Sequence, residues 1–173
     1  MEVTSIASPI KYVLLFAVLI LVQVLVCNNL LLFGVAVPFV FIFFILSLPL
    51  NMGTGMVLLL SFLLGLLIDL FSDTLGLNSL ACLILGALRK PLFYAYVPKE
   101  DKYLNAVPSI SSIGWFSYLK YVLTASAIYC FLVFGIELVS FASFGRIVLM
   151  ACSSALFTTL LLLATDALVN KEG

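Results

Sequence analysis

Asp69 and Asp73 are the two residues of this chain whose type and position could do chemistry. They lie in the stretch 61–90, SFLLGLLIDLFSDTLGLNSLACLILGALRK, where two apolar runs meet across a short polar turn. A carboxylate at the edge of a lipid-length helix is expensive, so something must make it tolerable. Asp73 fits a solvated end, or a cap on the N-terminus of the following helix, where negative charge is favoured. Asp69 lies about one turn deeper and is expected to face the protein interior or a partner, with Arg146 as its natural internal counter-ion. A proton or cation site is the third reading, and it lacks the deeper relay of polar groups that such a pathway demands.

Other chemistries find little support. The chain has no histidine, and its four cysteines (Cys27, Cys82, Cys130 and Cys152) are scattered singly. With no paired spacing, a zinc, haem or iron–sulfur site is not expected, and thiols within apolar runs read as small packing residues. No nucleophile stands beside a base and no glycine-rich phosphate loop occurs. The expectation is a protein that is not an enzyme, takes no cofactor and binds no nucleic acid.

The elements that must hold these residues follow from composition. Of 173 residues, 65% are hydrophobic and 9% charged, and the mean hydropathy is +1.32. A soluble domain needs more charge to cover its surface, so lipid is the expected solvent for most of the chain. The apolar stretches are long and continuous, which favours helices over a barrel of alternating strands. The reading is an all-α integral membrane protein, a single domain over 1–173 built as a bundle of six transmembrane helices. The spans are 11–30, 36–52, 53–71, 76–95, 118–137 and 145–168. The run after Lys11 is too long for a secretory signal, and Cys27-Asn28-Asn29 offers no small-x-small cleavage pattern, so the first span is read as uncleaved. In the second span Pro38 suits a first helical turn, and Pro49 precedes a plausible turn at Asn51-Met52-Gly53.

Orientation follows from the basic residues. The segment 89–120 holds Arg89, Lys90, Lys99, Lys102 and Lys120, while 27–35 and 71–79 hold none. With six spans, both termini and the 89–120 segment are cytoplasmic and Arg146 is the one exception. That topology depends on residues 36–52 crossing. Trp115, Phe116 and Tyr118 beside Lys120 read as an interfacial anchor. Lys99-Glu100-Asp101-Lys102 reads as a solvated turn.

Spacing also predicts how the helices meet. Ser61, Gly65, Asp69 and Asp73 recur every four residues on one helix face, and Asn78, Cys82 and Gly86 give the next helix a matching face. Small residues so placed let two backbones approach, and Gly76 suits the joining turn, so a tight antiparallel hairpin is expected. At the opposite end Asp166 is expected to pair with Arg89. Arg89 lies too far along its helix to reach Asp69, given about 1.5 Å of rise per residue. Gln23, Ser153, Ser154, Thr158 and Thr159 are candidates for interhelical hydrogen bonds, although hydroxyls can satisfy their own helix instead. Glu137 is read as solvated.

Gly65-Leu66-Leu67-Ile68-Asp69 followed by Gly76-Leu77-Asn78-Ser79-Leu80 resembles the signature of the rod shape-determining protein MreD family. The size, the short loops and the basic segment after the fourth span are similar as well. The resemblance implies a non-enzymatic scaffold of the bacterial elongation machinery in the inner membrane, helping to maintain rod shape and organise peptidoglycan synthesis. The implied partners are a bitopic MreC-like protein, with MreB, RodA and a peptidoglycan transpeptidase in the same assembly, and membrane lipid around it. It also implies a fold similar to the substrate-binding component of energy-coupling-factor vitamin transporters. Gly65, Asp69 and Gly76 are the matching positions; Ser61, Asp73, Asn78 and Arg146 are further candidates for an interface or a structural role. The alternative is such a vitamin-binding component itself. Its usual Ala-xxx-Ala docking pattern has only Ala17 to match in the first span.

Overall fold

The structure, a computed structural model, describes residues 9–26, 36–74, 76–98, 107–137 and 144–169, with the backbone alone for Pro9, Glu137, Phe144 and Arg146. Seven helices follow in order: α1 (Pro9–Leu25), α2 (Ile42–Ser47), α3 (Thr54–Ser72), α4 (Leu77–Tyr96), α5 (Ile110–Ile113), α6 (Trp115–Glu137) and α7 (Phe144–Val169). No strand occurs among the described residues. Three stretches, Thr54–Ser72, Trp115–Ile136 and Ile147–Val169, are long and apolar enough to cross a membrane. The outward sides of these helices carry large apolar residues such as Leu59, Leu66, Leu70, Phe131, Leu156 and Leu160, the surface that a lipid-facing bundle presents.

α3 and α4 form an antiparallel hairpin, α6 and α7 a second, and α4 packs on α6 to join them; α1 lies against α2 and α3. The centre of the bundle is occupied by 36–50, almost all of it buried. There the expected second span differs from a membrane helix. Only Ile42–Ser47 is helical; 37–39 is irregular, and Leu48 is extended at φ −64°, ψ 144°. Two prolines explain the break. Pro38 has no N–H to donate, and Pro49 pushes the residue before it out of the helical region. The freed length is packed by aromatics: Phe39 and Phe41 stand edge-on to Tyr129 with ring centroids at 5.1 and 5.7 Å, and Phe44 meets Phe16 of α1 at 5.1 Å.

The segment 27–35, the loop 138–143, Lys99-Glu100-Asp101-Lys102 and both termini lie outside the described residues, so the expectations for Cys27, for the loops' sidedness and for that charged turn fall there. Trp115 and Phe116 are exposed at the start of α6. Before them α5 is a single turn, opened by Ser109, whose hydroxyl accepts from the Ser112 amide while the Ser112 hydroxyl accepts from the Ser109 amide.

Candidate functional site

The hairpin is set by how closely α3 and α4 can approach. A Cβ on Gly65 would lie 2.5 Å from the Ser79 Cα and 2.6 Å from the Asn78 carbonyl oxygen. No side chain fits there, so glycine is required for the contact. Further along the same seam a Cβ on Gly86 would meet the Ser61 Oγ at 2.6 Å. Ser61 and Cys82 are fully buried in the seam. The four-residue spacing read from the sequence therefore corresponds to a packing seam in which Ser61 faces Gly86 and Gly65 faces Ser79.

Close approach brings Asp69 of α3 to the first turn of α4. Its Oδ1 accepts from the backbone N–H of Asn78 at 3.0 Å, from Asn78 Nδ2 at 3.0 Å and from the Thr74 hydroxyl; its Oδ2 accepts from the Ser79 N–H at 2.8 Å and the Ser79 hydroxyl. Gly76 is the residue before α4 and no side chain from its own position caps that helix. Asp69 supplies the missing acceptor from the neighbouring helix, satisfying the orphan amides and complementing the positive end of the helix dipole. Five donors on one carboxylate explain why a charge 4% exposed is tolerated.

These bonds decide between the two readings of Asp73, in favour of the solvated end. The cap on α4 is Asp69 and not Asp73. Asp73 is exposed and ends α3 in a left-handed conformation, φ 53°, which aspartate tolerates better than most residues. Its N–H and that of Thr74 both donate to the Asp69 carbonyl, closing α3, while Gly76 at φ 78° completes the turn. The Asp69 oxygens accept from residues within ten positions of it, and the expectation that Arg146 is its counter-ion falls on a side chain outside the described residues. Asn78 carries the network onward, donating to Thr74 Oγ1 at 3.2 Å and accepting from the Tyr129 hydroxyl of α6 at 2.6 Å. That tyrosine had no signal in the sequence beyond its place in an apolar run.

The broken segment beside the hairpin is held by a second polar set. Gln23 of α1 donates to the Pro38 carbonyl and accepts from the Val40 N–H, both at 3.0 Å. Ser154 and Thr158 of α7 accept from the amides of Val37 and Phe39 at 3.0 and 3.1 Å. At the other end Arg89, fully buried, donates through Nη1 to the carbonyls of Ile45 and Leu48 and through Nη2 to that of Pro49 at 2.9 Å, and Lys90 reaches the Met52 carbonyl at 3.0 Å. Buried irregular backbone survives only where other groups satisfy its N–H and C=O, and these five side chains do so. Of the hydroxyls singled out in α7, Ser153 and Thr159 bond their own helix, to Met150 and Ala155.

Arg89 therefore does not pair with Asp166, contrary to expectation. Asp166 instead accepts from the Ile110 N–H at 3.0 Å, and the Tyr118 phenol faces the same carboxylate. It ties the turn before α6 to α7. The physical reason is that a planar fork of donors suits a cluster of carbonyls, and the broken segment supplies three.

A cavity of about 350 Å³ opens between the two polar sets, lined by Gln23, Phe39, Phe71, Thr74, Asn78 and Val133 among others. The polar atoms of Gln23, Thr74 and Asn78 are engaged in the bonds above. Among the described residues no group of histidine, cysteine, aspartate or glutamate could hold a metal ion. No family model matches the chain, and neither a curated protein nor a solved structure does.

Proposed function

We propose that this chain is a non-enzymatic, MreD-like scaffold of the bacterial inner membrane, crossing it six times with both termini cytoplasmic and binding an MreC-like bitopic protein through its lipid-facing helices. One observation carries the reading. The three residues that match the MreD signature form a single device: Gly65 admits the backbone of α4, Asp69 caps α4, and Gly76 turns the chain between them. The signature is thus a prescription for a rigid hairpin. A rigid hairpin with apolar outer faces suits a scaffold. In six crossings, 36–52 is the second, running from the Tyr129 level of the bundle to Arg89 and Lys90 near the end of α4.

Because Asp69 is occupied internally, the partner is met by exposed residues of α3 such as Leu66 and Leu70. The test is co-expression with an MreC-like protein and tandem purification through a tag on either chain. Retention of the partner by the wild type, and its loss in Leu66→Ala/Leu70→Ala with membrane insertion unchanged, supports the reading. No co-purification in mild detergent, together with normal cell shape on depletion of the chain, sinks it. The 350 Å³ cavity is the observation that favours the second reading, a vitamin-binding transporter component. A vitamin retained through purification would reverse the order.

A further inference from the structure

α1 packs on α2 and α3, and α7 packs on α6. Between the start of α1 and the end of α7 this arrangement leaves a second cavity, of about 460 Å³. Ile10, Leu14 and Val18 line it from one face of α1, spaced every four residues, and Leu168 lines it from α7. These walls are open: Ile10 is 70% exposed, Leu14 61% and Leu168 74%. On the inner side lie Phe43 and Ser47 of the central segment, both buried. The Ser47 hydroxyl is given to the Phe44 carbonyl at 3.1 Å, so the inner side has no spare donor for a polar guest. Lys11, exposed in the first turn of α1, is the only charged residue among those described in the lining.

An apolar groove with one positive charge at its end is complementary to an amphiphile with an anionic head. Its length selects between a lipid and a helix. The lining runs from Ile10 to Val18, which at about 1.5 Å per residue is about 12 Å along α1. One leaflet of a hydrocarbon core about 30 Å thick is about 15 Å deep. A partner's spanning helix would need a groove of the full thickness, whereas one acyl chain needs only the leaflet. α7 is long and apolar enough to cross a membrane from Ile147 to Val169, so the end that carries Leu168 falls at the membrane boundary. Lys11 lines the same cavity, and from such a depth a lysine stem reaches the headgroups. We propose that this groove holds one acyl chain of an anionic phospholipid from the leaflet nearer Lys11, laid between Leu14 and Leu168 against Phe43, with its phosphate on the Lys11 ammonium. The assignment rests on α7 crossing the membrane and is independent of the scaffold reading.

The test uses the full chain in phosphatidylcholine nanodiscs doped with a phosphatidylglycerol that carries a photoreactive diazirine in mid-chain. Labelled positions are mapped by peptide mass spectrometry. Label is expected on the groove residues of α1 and α7 well above that on Leu70 of α3 and Leu160 of α7, which face outward. Unlabelled phosphatidylglycerol should displace it about fivefold better than added phosphatidylcholine, the effect of one lysine near the membrane surface. Lys11→Gln should erase that preference. Leu14→Trp, which fills the groove while Lys11 stays, should remove the groove label. Both substituted positions are exposed, so neither variant disturbs the core. Label spread evenly over the outer faces, equal displacement by the two lipids in the wild type, or a groove label that persists in Leu14→Trp overturns the proposal. So does a cross-link from α1 to a second copy of this chain in place of lipid.

Discussion

Replacing Asp69 by alanine is the sharpest test of how the hairpin is held. The substitution removes an acceptor from five donors. The hydroxyls of Thr74 and Ser79 can turn to other acceptors, but the amides of Asn78 and Ser79 are fixed by α4. Each buried amide left unsatisfied costs about 1–3 kcal/mol. Thr74 is half-buried and Asp73 beside it exposed, so water can reach part of the site and the lower half of that range applies. The expected loss is about 2–4 kcal/mol from the two amides, with roughly 1 kcal/mol more from the helix dipole. Asp69→Asn keeps one oxygen for the Asn78 amide and leaves the other position to an NH₂, so about half the loss is expected. The assay is reversible unfolding by SDS titration in mixed micelles, with the Asp69→Ala/Asn78→Ala double mutant to read the coupling. A loss within about 0.5 kcal/mol of wild type, the range of an ordinary surface change, would refute the capping role. Strict additivity in the double mutant would refute the network.

Gly65→Ala should be worse than its size suggests, because a methyl 2.5 Å from the Ser79 Cα must push the helices apart; we expect a loss of about 1–3 kcal/mol, against a neutral or slightly favourable Gly55→Ala, both read from thermal midpoints. Gln23→Leu strands the Pro38 carbonyl and the Val40 amide together, with an expected loss of about 2–4 kcal/mol; Gln23→Glu, whose carboxylate would set a buried charge against the Pro38 carbonyl, should lose at least as much in the same SDS titration. Arg89→Lys keeps the charge but not the fork that reaches Leu48 and Pro49 together, so a loss of about 1–3 kcal/mol is expected from the carbonyl left unpaired. A lysine variant as stable as wild type would show that charge alone matters there.

Length and hydropathy were enough to place α3, α4, α6 and α7 to within a few residues, because those helices are set by local properties of the chain. The central segment was harder. An apolar run of that length reads as a helix, and Pro38 and Pro49 each have a harmless role at a helix end. What breaks the segment in the structure is that both act on one short stretch whose backbone can be satisfied elsewhere. The satisfying residues were individually mute, since Ser154 lies 117 and Thr158 lies 119 residues from the amides they accept. Asp69 is visible in the sequence as an anomaly, but its neutral partners are not. The partners were the neutral donors of the next helix's first turn, a solution that depends on the glycine contact bringing α4 within reach. Arg89 was likewise assigned an acid when carbonyls of the broken segment were its true acceptors.

The dependence of residues 36–40 on α7 bears on how the protein is made. A helix can leave the insertion machinery as soon as it is complete, because its backbone is satisfied within itself. Residues 36–40 cannot. Two of their amides wait for hydroxyls synthesised more than a hundred residues later, so this part of the chain stays unsatisfied until α7 has been made. A chain stopped before α7 therefore leaves its own centre unfinished.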